Sequence, residues 1–295
     1  MRIVWSGNLY PPVGGGAEWM AHEFLLACIR RGHSVRFWHH RLRTAYQFEG
    51  VDVVLHAKTA DVVIGHLGTG HAEVLLAERA KAALYWLLHS PSQHPPRTAR
   101  PIANSLHVQR TRPGSLLLRP HVPTQRYDGR RGSAMTLVNL SQLKGVRVLE
   151  QLVRLRPDLD FLGVRGAWDE QAYKPGRYDN LTVWEFQPDV RIALTGTKLL
   201  LLPSREESWG RIAVEAACRG IPTLAHPCDG VLESMAEAAV YADREYPEAW
   251  SEAIDLALGQ YDRLSRLARH RASYLEDLTG ADAEALISHL EDQYG

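Results

Sequence analysis

Apolar residues come in short runs separated by polar loops, and between the runs they recur at three-to-four spacing. Arg2–Ser6 (RIVWS) predicts a strand. Gly14–Glu18 (GGGAE) then opens a helix to about Arg31, with Trp19, Met20, Phe24, Leu25, Cys28 and Ile29 on its apolar face. Gly32 supplies a left-handed stop. Ser34–Trp38 and Asp61–Gly65 read as strands, His71–Lys81 as a helix, Ala82–Leu88 and Pro101–Ser105 as strands. After the polar, glycine-rich stretch Asp128–Ser133 the alternation restarts. Strands are predicted at Thr136–Leu140, Asp160–Val164, Leu181–Phe186, Lys198–Leu202 and Pro222–Ala225. Helices are predicted at Val146–Leu155, over Gly210–Arg219 and from about Pro247 onward. Strands alternating with helices imply parallel sheets with helices on both faces. The predicted organisation is a first α/β domain over 1–130, a second over 131–275, and a terminal helix at 276–295 that packs back on the first.

Composition changes this picture little. The 295 residues suit two domains of ordinary size, and 34 basic residues balance 34 acidic ones. Charge is unevenly placed, however. Residues 87–147 hold Arg97, Arg100, Arg110, Arg112, Arg119, Arg126, Arg130, Arg131, Lys144 and Arg147 against Asp128 alone, while the segment from Asp229 onward is acidic. This asymmetry fits an anionic partner, or solvated faces that pair within the fold. Cys28, Cys218 and Cys228 form neither a disulfide framework nor a zinc pattern. No apolar stretch reaches ~18 residues, and the chain opens on a strand rather than a signal peptide. The expected location is cytoplasmic, with peripheral membrane contact left open.

Ligands of parallel sheets lie beyond the carboxyl ends of the strands, so the residues there carry the chemistry. Gly14-Gly15-Gly16 can bring backbone amides to a phosphate at a helix N-terminus, or can simply make a turn. Its spacing is not the dinucleotide fingerprint. In Pro203-Ser204-Arg205-Glu206-Glu207-Ser208-Trp209-Gly210-Arg211, Glu207 stands at the mouth of a helix and Glu215 in its second turn. Both carboxylates can accept hydrogen bonds from sugar hydroxyls. Lys144 lies at a strand-to-helix junction, where a cation can balance a leaving diphosphate. His89 follows a strand of the first domain and can position or deprotonate a hydroxyl. Each residue taken singly also has an ordinary structural reading.

Together the four elements resemble glycosyltransferase family 4. Leu199–Glu215 (LLLLPSREESWGRIAVE) is similar to that family's P-S-x-x-E-G-F-G-x-x-x-x-E-A motif. It keeps Pro203, Ser204, Glu207, Gly210, Glu215 and Ala216, with Ser208 in place of a glycine and Trp209 at the aromatic position. Cys218–Thr223, Asp229–Glu233, Asp158–Gly166, His89-Ser90-Pro91, Asn104-Ser105 and Pro120–Pro123 match further landmarks. The resemblance implies a GT-B fold, two Rossmann-like domains facing across a cleft. It also implies transfer of a sugar from a nucleotide-diphosphate sugar, with retained configuration and without metal or other cofactor.

By that resemblance the catalytic residues are His89, Glu207 and Lys144. The donor-binding residues are Gly15, Gly16, Asn139, Lys144, Arg165, Glu207, Ser208, Trp209, Gly210, Arg211 and Glu215. Two departures stand out. Asn139 replaces a common family arginine, with Arg165, Arg205 or Arg211 as candidate substitutes. The first domain is also short, which suits a large or polymeric acceptor: a lipid surface, a nucleic acid with modified bases, a glycan or a protein. The competing readings are a non-catalytic sugar or nucleotide binder of the same fold and a Rossmann oxidoreductase or epimerase. Trp38-His39-His40 after the second strand disfavours the latter, which needs an acid there.

Overall fold

The computed structural model describes residues 1–39, 42–67, 70–167 and 169–295; His40 lies outside them. The chain divides into two compact units, Met1–His121 with Asp277–Gly295, and Val122–Glu276.

Among the described residues, unit 1 is built on an eight-stranded sheet: β1 (Arg2–Gly7), β2 (Ser34–His39), β3 (Tyr46–Phe48), β4 (Val51–Val54), β5 (Val62–Gly65), β6 (Ala83–Leu88), β7 (Arg100–Ala103) and β8 (Leu116–Leu117). The order is β3-β4-β2-β1-β5-β6-β7-β8. All pairings are parallel except β3 with β4. Helices α1 (Gly16–Arg30), α2 (His71–Ala80) and α3 (Leu106–Thr111) connect the strands. The central strands are buried throughout, which is why they read as unbroken apolar runs rather than alternating ones.

Unit 2 carries α4 (Thr124–Tyr127), then β9 (Ala134–Val138), α5 (Val146–Leu155), β10 (Phe161–Val164), β11 (Gly176–Tyr178), β12 (Leu181–Trp184), α6 (Val190–Thr195), β13 (Thr197–Leu202), α7 (Arg211–Cys218), β14 (Thr223–Ala225), α8 (Asp229–Met235), β15 (Ala239–Tyr241) and α9 (Pro247–Gly259). Its sheet runs β11-β12-β10-β9-β13-β14-β15, parallel except for β11 with β12. The long α10 (Tyr261–Tyr294) begins in unit 2 and ends in unit 1. In unit 1 its Leu286, Ile287 and Leu290 join the core of Trp5, Phe24, Leu25 and Ile64. Burying each such side chain contributes about 1.5–3 kcal/mol.

The structure differs from the pattern-based reading at several edges. The first strand of unit 2 stops at Val138 because Asn139 takes a left-handed conformation (φ 72°), so Leu140 lies beyond it. The short elements β3, β4, β8, β11, β15 and α6 were too brief to leave a periodic signature. Part of the charge asymmetry pairs within unit 1. Arg119 makes two hydrogen bonds to Asp282, at 2.6 and 2.9 Å, and Arg31 meets Glu284 and Glu291. Within unit 2, Arg131 donates to the carbonyl of Gly220 and to Ser265, and Arg219 donates to the carbonyls of Tyr127 and Arg130. The polar stretch Asp128–Ser133 is therefore fastened at both ends to unit 2.

Candidate active site

In unit 2, the loops after β9 and β13 carry the motif residues, and glycine lets them meet. Gly145, at φ 86°, leads into α5, and a Cβ there would sit 2.5 Å from the Pro203 carbonyl oxygen. Arg205 N–H donates to the Leu143 carbonyl, joining the two loops directly. Lys144 and Glu207 are thereby brought together although 63 positions separate them. The Lys144 ammonium donates to Glu207 Oε1 at 2.5 Å, and Ser204 Oγ donates to the same oxygen at 2.7 Å. Glu207 is mostly buried and Lys144 about one-third exposed. Gly230, at the start of α8, backs the loop so closely that a Cβ would fall 2.1 Å from the Glu207 carbonyl oxygen.

Gly210 takes φ 76° and turns the chain into α7. Trp209 is buried, so only its backbone remains for a ligand, and Ser208 packs its backbone against Gly230. One turn into α7, Glu215 Oε1 accepts from Arg211 Nε at 2.7 Å, and Arg211 Nη2 donates to the Tyr127 hydroxyl at 3.1 Å. Burial pushes the Glu215 carboxyl above its ordinary range, with the Arg211 charge pulling against it. Arg211 is turned inward and buried, on Glu215 rather than at the mouth of the helix. Arg165 pairs with Glu185 at 2.9 Å near the surface.

Asn139 is engaged by its own neighbours. Its Oδ1 accepts from the Ser141 amide at 3.2 Å and from Gln171 Nε2 at 2.9 Å. Gln171 Oε1 in turn accepts from the Leu140 and Gly166 amides, both at 2.8 Å. Gln171 thus closes the loops after β9 and β10, a role no local motif announces.

In unit 1, Gly15 caps α1, and its amide donates to Glu18 Oε2 at 2.7 Å; Gly16 opens the helix. Gly14, at φ 158°, sits where a Cβ would fall 2.7 Å from that of Glu18. His89 follows β6. Its amide donates to Gln93 Oε1 at 2.6 Å, and its Nδ1 lies 3.4 Å from Asn104 Nδ2. Burial lowers the His89 pKa to about 4. His66, at the end of β5, was missed in the sequence, although it occupies the position just past a strand that marked the other candidates. It is fully buried, its Nδ1 accepts from the Trp5 indole N–H, and burial with the nearby His89 holds its pKa well below the usual histidine value. The two imidazoles meet edge to face, with ring centroids 5.5 Å apart.

Among the described residues, no group of three or more His, Cys, Asp or Glu is placed to hold a metal ion, and no helix is long and apolar enough to cross a membrane.

Two Rossmann-like units of parallel strands, with chemistry gathered past the strand ends, define a GT-B fold. Solved structures share it. A Rickettsia africae glycosyltransferase matches with TM-score 0.74 and 12% identity over 98% of both chains. Anabaena Alr3699/HepE in complex with UDP-glucose matches with TM-score 0.75 and 15% identity, over 98% of this chain and 100% of that one. In the second half, residues 157–272 match the family model described as glycosyl transferases group 1. The D-inositol 3-phosphate glycosyltransferases of Segniliparus rotundus and Gordonia bronchialis are 32% and 30% identical to 33% and 37% of this chain. The matches span 23% and 24% of those relatives' own lengths, so the chain matches about a quarter of each.

Proposed function

We propose that the protein is a retaining, metal-independent glycosyltransferase using a nucleotide-diphosphate sugar. The observation that carries this reading is the Lys144–Glu207–Ser204 cluster past the strand ends of unit 2. Lys144 supplies the charge that a departing diphosphate needs, in place of a metal ion. Glu207 has a second carboxylate oxygen to offer sugar hydroxyls, and Glu215 accepts from the ribose once Arg211 shares it. The bond from the anomeric carbon to the diphosphate breaks. The acceptor oxygen bonds on the same face, and its proton passes to the leaving phosphate oxygen. Exposed Arg97, Arg100 and Arg110 favour an anionic acceptor, for which binding should weaken steeply with salt.

A second reading, a non-catalytic binder, is favoured by the Asn139–Gln171 network. It occupies two loop amides and stands where the resemblance leads one to expect an arginine.

One experiment separates the readings. UDP-, GDP-, ADP- and dTDP-glucose are each added with and without Mg²⁺, and the unfolding midpoint and slow hydrolysis are followed. UDP-glucose comes first because a solved neighbour holds it. A ligand bound only by the folded chain raises the midpoint by mass action. A metal-independent shift with hydrolysis supports the transferase. A shift without hydrolysis supports the binder, and dependence on Mg²⁺ overturns the metal-free chemistry.

A further inference from the structure

The candidate chemistry of unit 1 lies at the carboxyl ends of its strands, and the amino ends hold a cavity of their own. Strands β6 and β7 begin at Ala83 and Arg100. Beside these starts lies a hollow of about 360 Å³, walled by Val74 and Ala77 of α2 and by Leu84 of β6. Lys81, Arg100 and Tyr294 also line it. The volume falls in the range of small-ligand sites, roughly 300–1,000 Å³. At about 3.3 Å per residue, Ala83 stands roughly 20 Å along β6 from His89.

Backbone turns place the two cations. Lys81 ends α2 in a left-handed conformation (φ 54°), so the chain passes at once from the helix into β6. Arg100 opens β7, donates to the Tyr85 hydroxyl at 3.4 Å and lies over the Tyr85 ring, 5.9 Å from its centroid. The same hydroxyl is 3.3 Å from the Tyr294 hydroxyl and 3.3 Å from His289 Nε2, both near the end of α10. Elsewhere in unit 1, Arg2, Arg31 and Arg119 each hold a carboxylate. Among the described residues, neither Lys81 nor Arg100 does. Glu78, which also borders the hollow, is the acid nearest them in the sequence.

We propose that this cavity is a second ligand site, separate from the strand-end chemistry, for a small phosphate monoester with a compact apolar body. Arg100 offers paired N–H groups and Lys81 a point charge, which together suit a dianion. The Tyr85 hydroxyl accepts from Arg100 and can pass its own proton to Tyr294, whose proton is then left for a phosphate oxygen. Val74, Ala77 and Leu84 cover the body of the ester. A sugar body would press hydroxyls against these aliphatic side chains, which give them no partner. Because Tyr294 lies in the last turn of α10, an occupied site fastens that helix end to β6 and β7. Nothing in this site depends on the glycosyltransfer reading.

The test titrates the full chain with phenyl phosphate by calorimetry in phosphate-free buffer, beside inorganic phosphate, phenol and glucose 6-phosphate. Phenyl phosphate should bind at one site per chain, about tenfold more tightly than each of the others, and should raise the unfolding midpoint. Lys81→Gln and Arg100→Gln should each weaken it about tenfold, and Arg100→Lys less. Glu78→Gln should tighten it about two- to threefold. Lys81→Gln is the decisive variant, since Arg100 also braces Tyr85 and its loss can disturb packing. Added together, phenyl phosphate and UDP-glucose should give the sum of their separate midpoint shifts. Competition between the two would put the ester in the donor site and overturn the proposal. So would the absence of phenyl phosphate binding, or an affinity indifferent to Lys81. Glucose 6-phosphate binding as tightly as phenyl phosphate would overturn the apolar body. Should UDP-glucose fail to bind, the glycosyltransfer reading suffers, and the phenyl phosphate titrations alone decide this site.

Discussion

The strand ends of the two units solve one problem in opposite ways. In unit 2, charged groups satisfy one another: Lys144 with Glu207, and Arg211 with Glu215. In unit 1, buried His66 and half-buried His89 are held below their ordinary pKa values, each with one nitrogen engaged and one buried without a hydrogen-bond partner. A paired charge must be shared with or released to an incoming ligand. Under the proposed function, the charged pairs of unit 2 would be the groups that meet the anionic nucleotide. Buried ion pairs persist because removing one partner strands the other charge.

The strongest way to break this comparison is to remove the pair in unit 2. Glu207→Ala and Lys144→Ala should each lower turnover by about 10²–10³-fold, roughly 3–4 kcal/mol in the barrier. Because the pair is partly solvated, the unfolding midpoint should move far less than the rate. Steady-state kinetics beside thermal unfolding measure both quantities. Full turnover in both variants would remove the charged pair from the chemistry.

Acid should then distinguish the units. The folded-state pKa of His89 is lowered to about 4 from the ordinary 6.5, and that of His66 is lowered too. Between these values the unfolded chain binds protons that the folded chain does not, so stability falls as pH drops from about 6.5 toward 4. For His89 the loss is about 3 kcal/mol, and it levels off below its folded pKa. Glu215 has the opposite sign. Its folded pKa is raised, so the folded state holds a proton that the unfolded chain has given up, and its contribution, present in full below 4.5, is lost as pH rises from there through the raised folded value. Hydrogen exchange at pH 7 and pH 5 should show β5 and β6 losing protection while β13 and α7 change little. Equal loss in both would mean that the imidazoles do not control unit 1.

The two units also differ in how much of them could be read before folding. The unit 2 motif was legible because Ser204, Glu207, Gly210 and Glu215 lie within one strand–loop–helix passage, so their spacing carries geometry. Lys144 was legible as a candidate, but its partner was not, since the Gly145 contact with Pro203 and the Arg205–Leu143 hydrogen bond that bring the loops together join residues far apart in sequence. The unit 1 cluster joins residues of three strands, Trp5 within β1 and His66 and His89 just past β5 and β6, and no local spacing encodes that. Arg211 shows the limit from the other side: a cation at a helix mouth suggested phosphate, yet its four-residue spacing to Glu215 turned it inward.

Gly230→Ala sharpens the view of unit 2 as a pre-tied site. The added methyl would overlap the Glu207 carbonyl, so either α8 or the loop must shift. Such overpacking costs about 1–3 kcal/mol, and a loop shift also moves Glu207 away from Lys144. The expected result is a lower unfolding midpoint together with a fall in kcat beyond what lost stability explains. A variant that loses stability but keeps its kcat would show that α8 gives way and the charged pair does not depend on this contact.

The smallest expected effect concerns Gln171. Its side chain satisfies the Leu140 and Gly166 amides and reaches Asn139, so Gln171→Ala leaves two backbone donors to find water. Net losses of about 0.5–1.5 kcal/mol per hydrogen bond, partly recovered by water at this half-buried loop, predict a destabilisation of about 1 kcal/mol. Exchange should quicken at those two amides first, with the core of β9 unchanged. The same variant frees both donors for a ligand. If the amides face the donor phosphates, UDP should bind the variant at least as tightly as wild type despite the lost stability. If they only brace the loops, binding should weaken along with them. The first outcome would make Gln171 a group that occupies a phosphate position until the donor arrives, and would bring unit 2 closer to unit 1, with neutral groups at its strand ends. The second would keep the contrast intact, with Lys144 as the group that meets the phosphate.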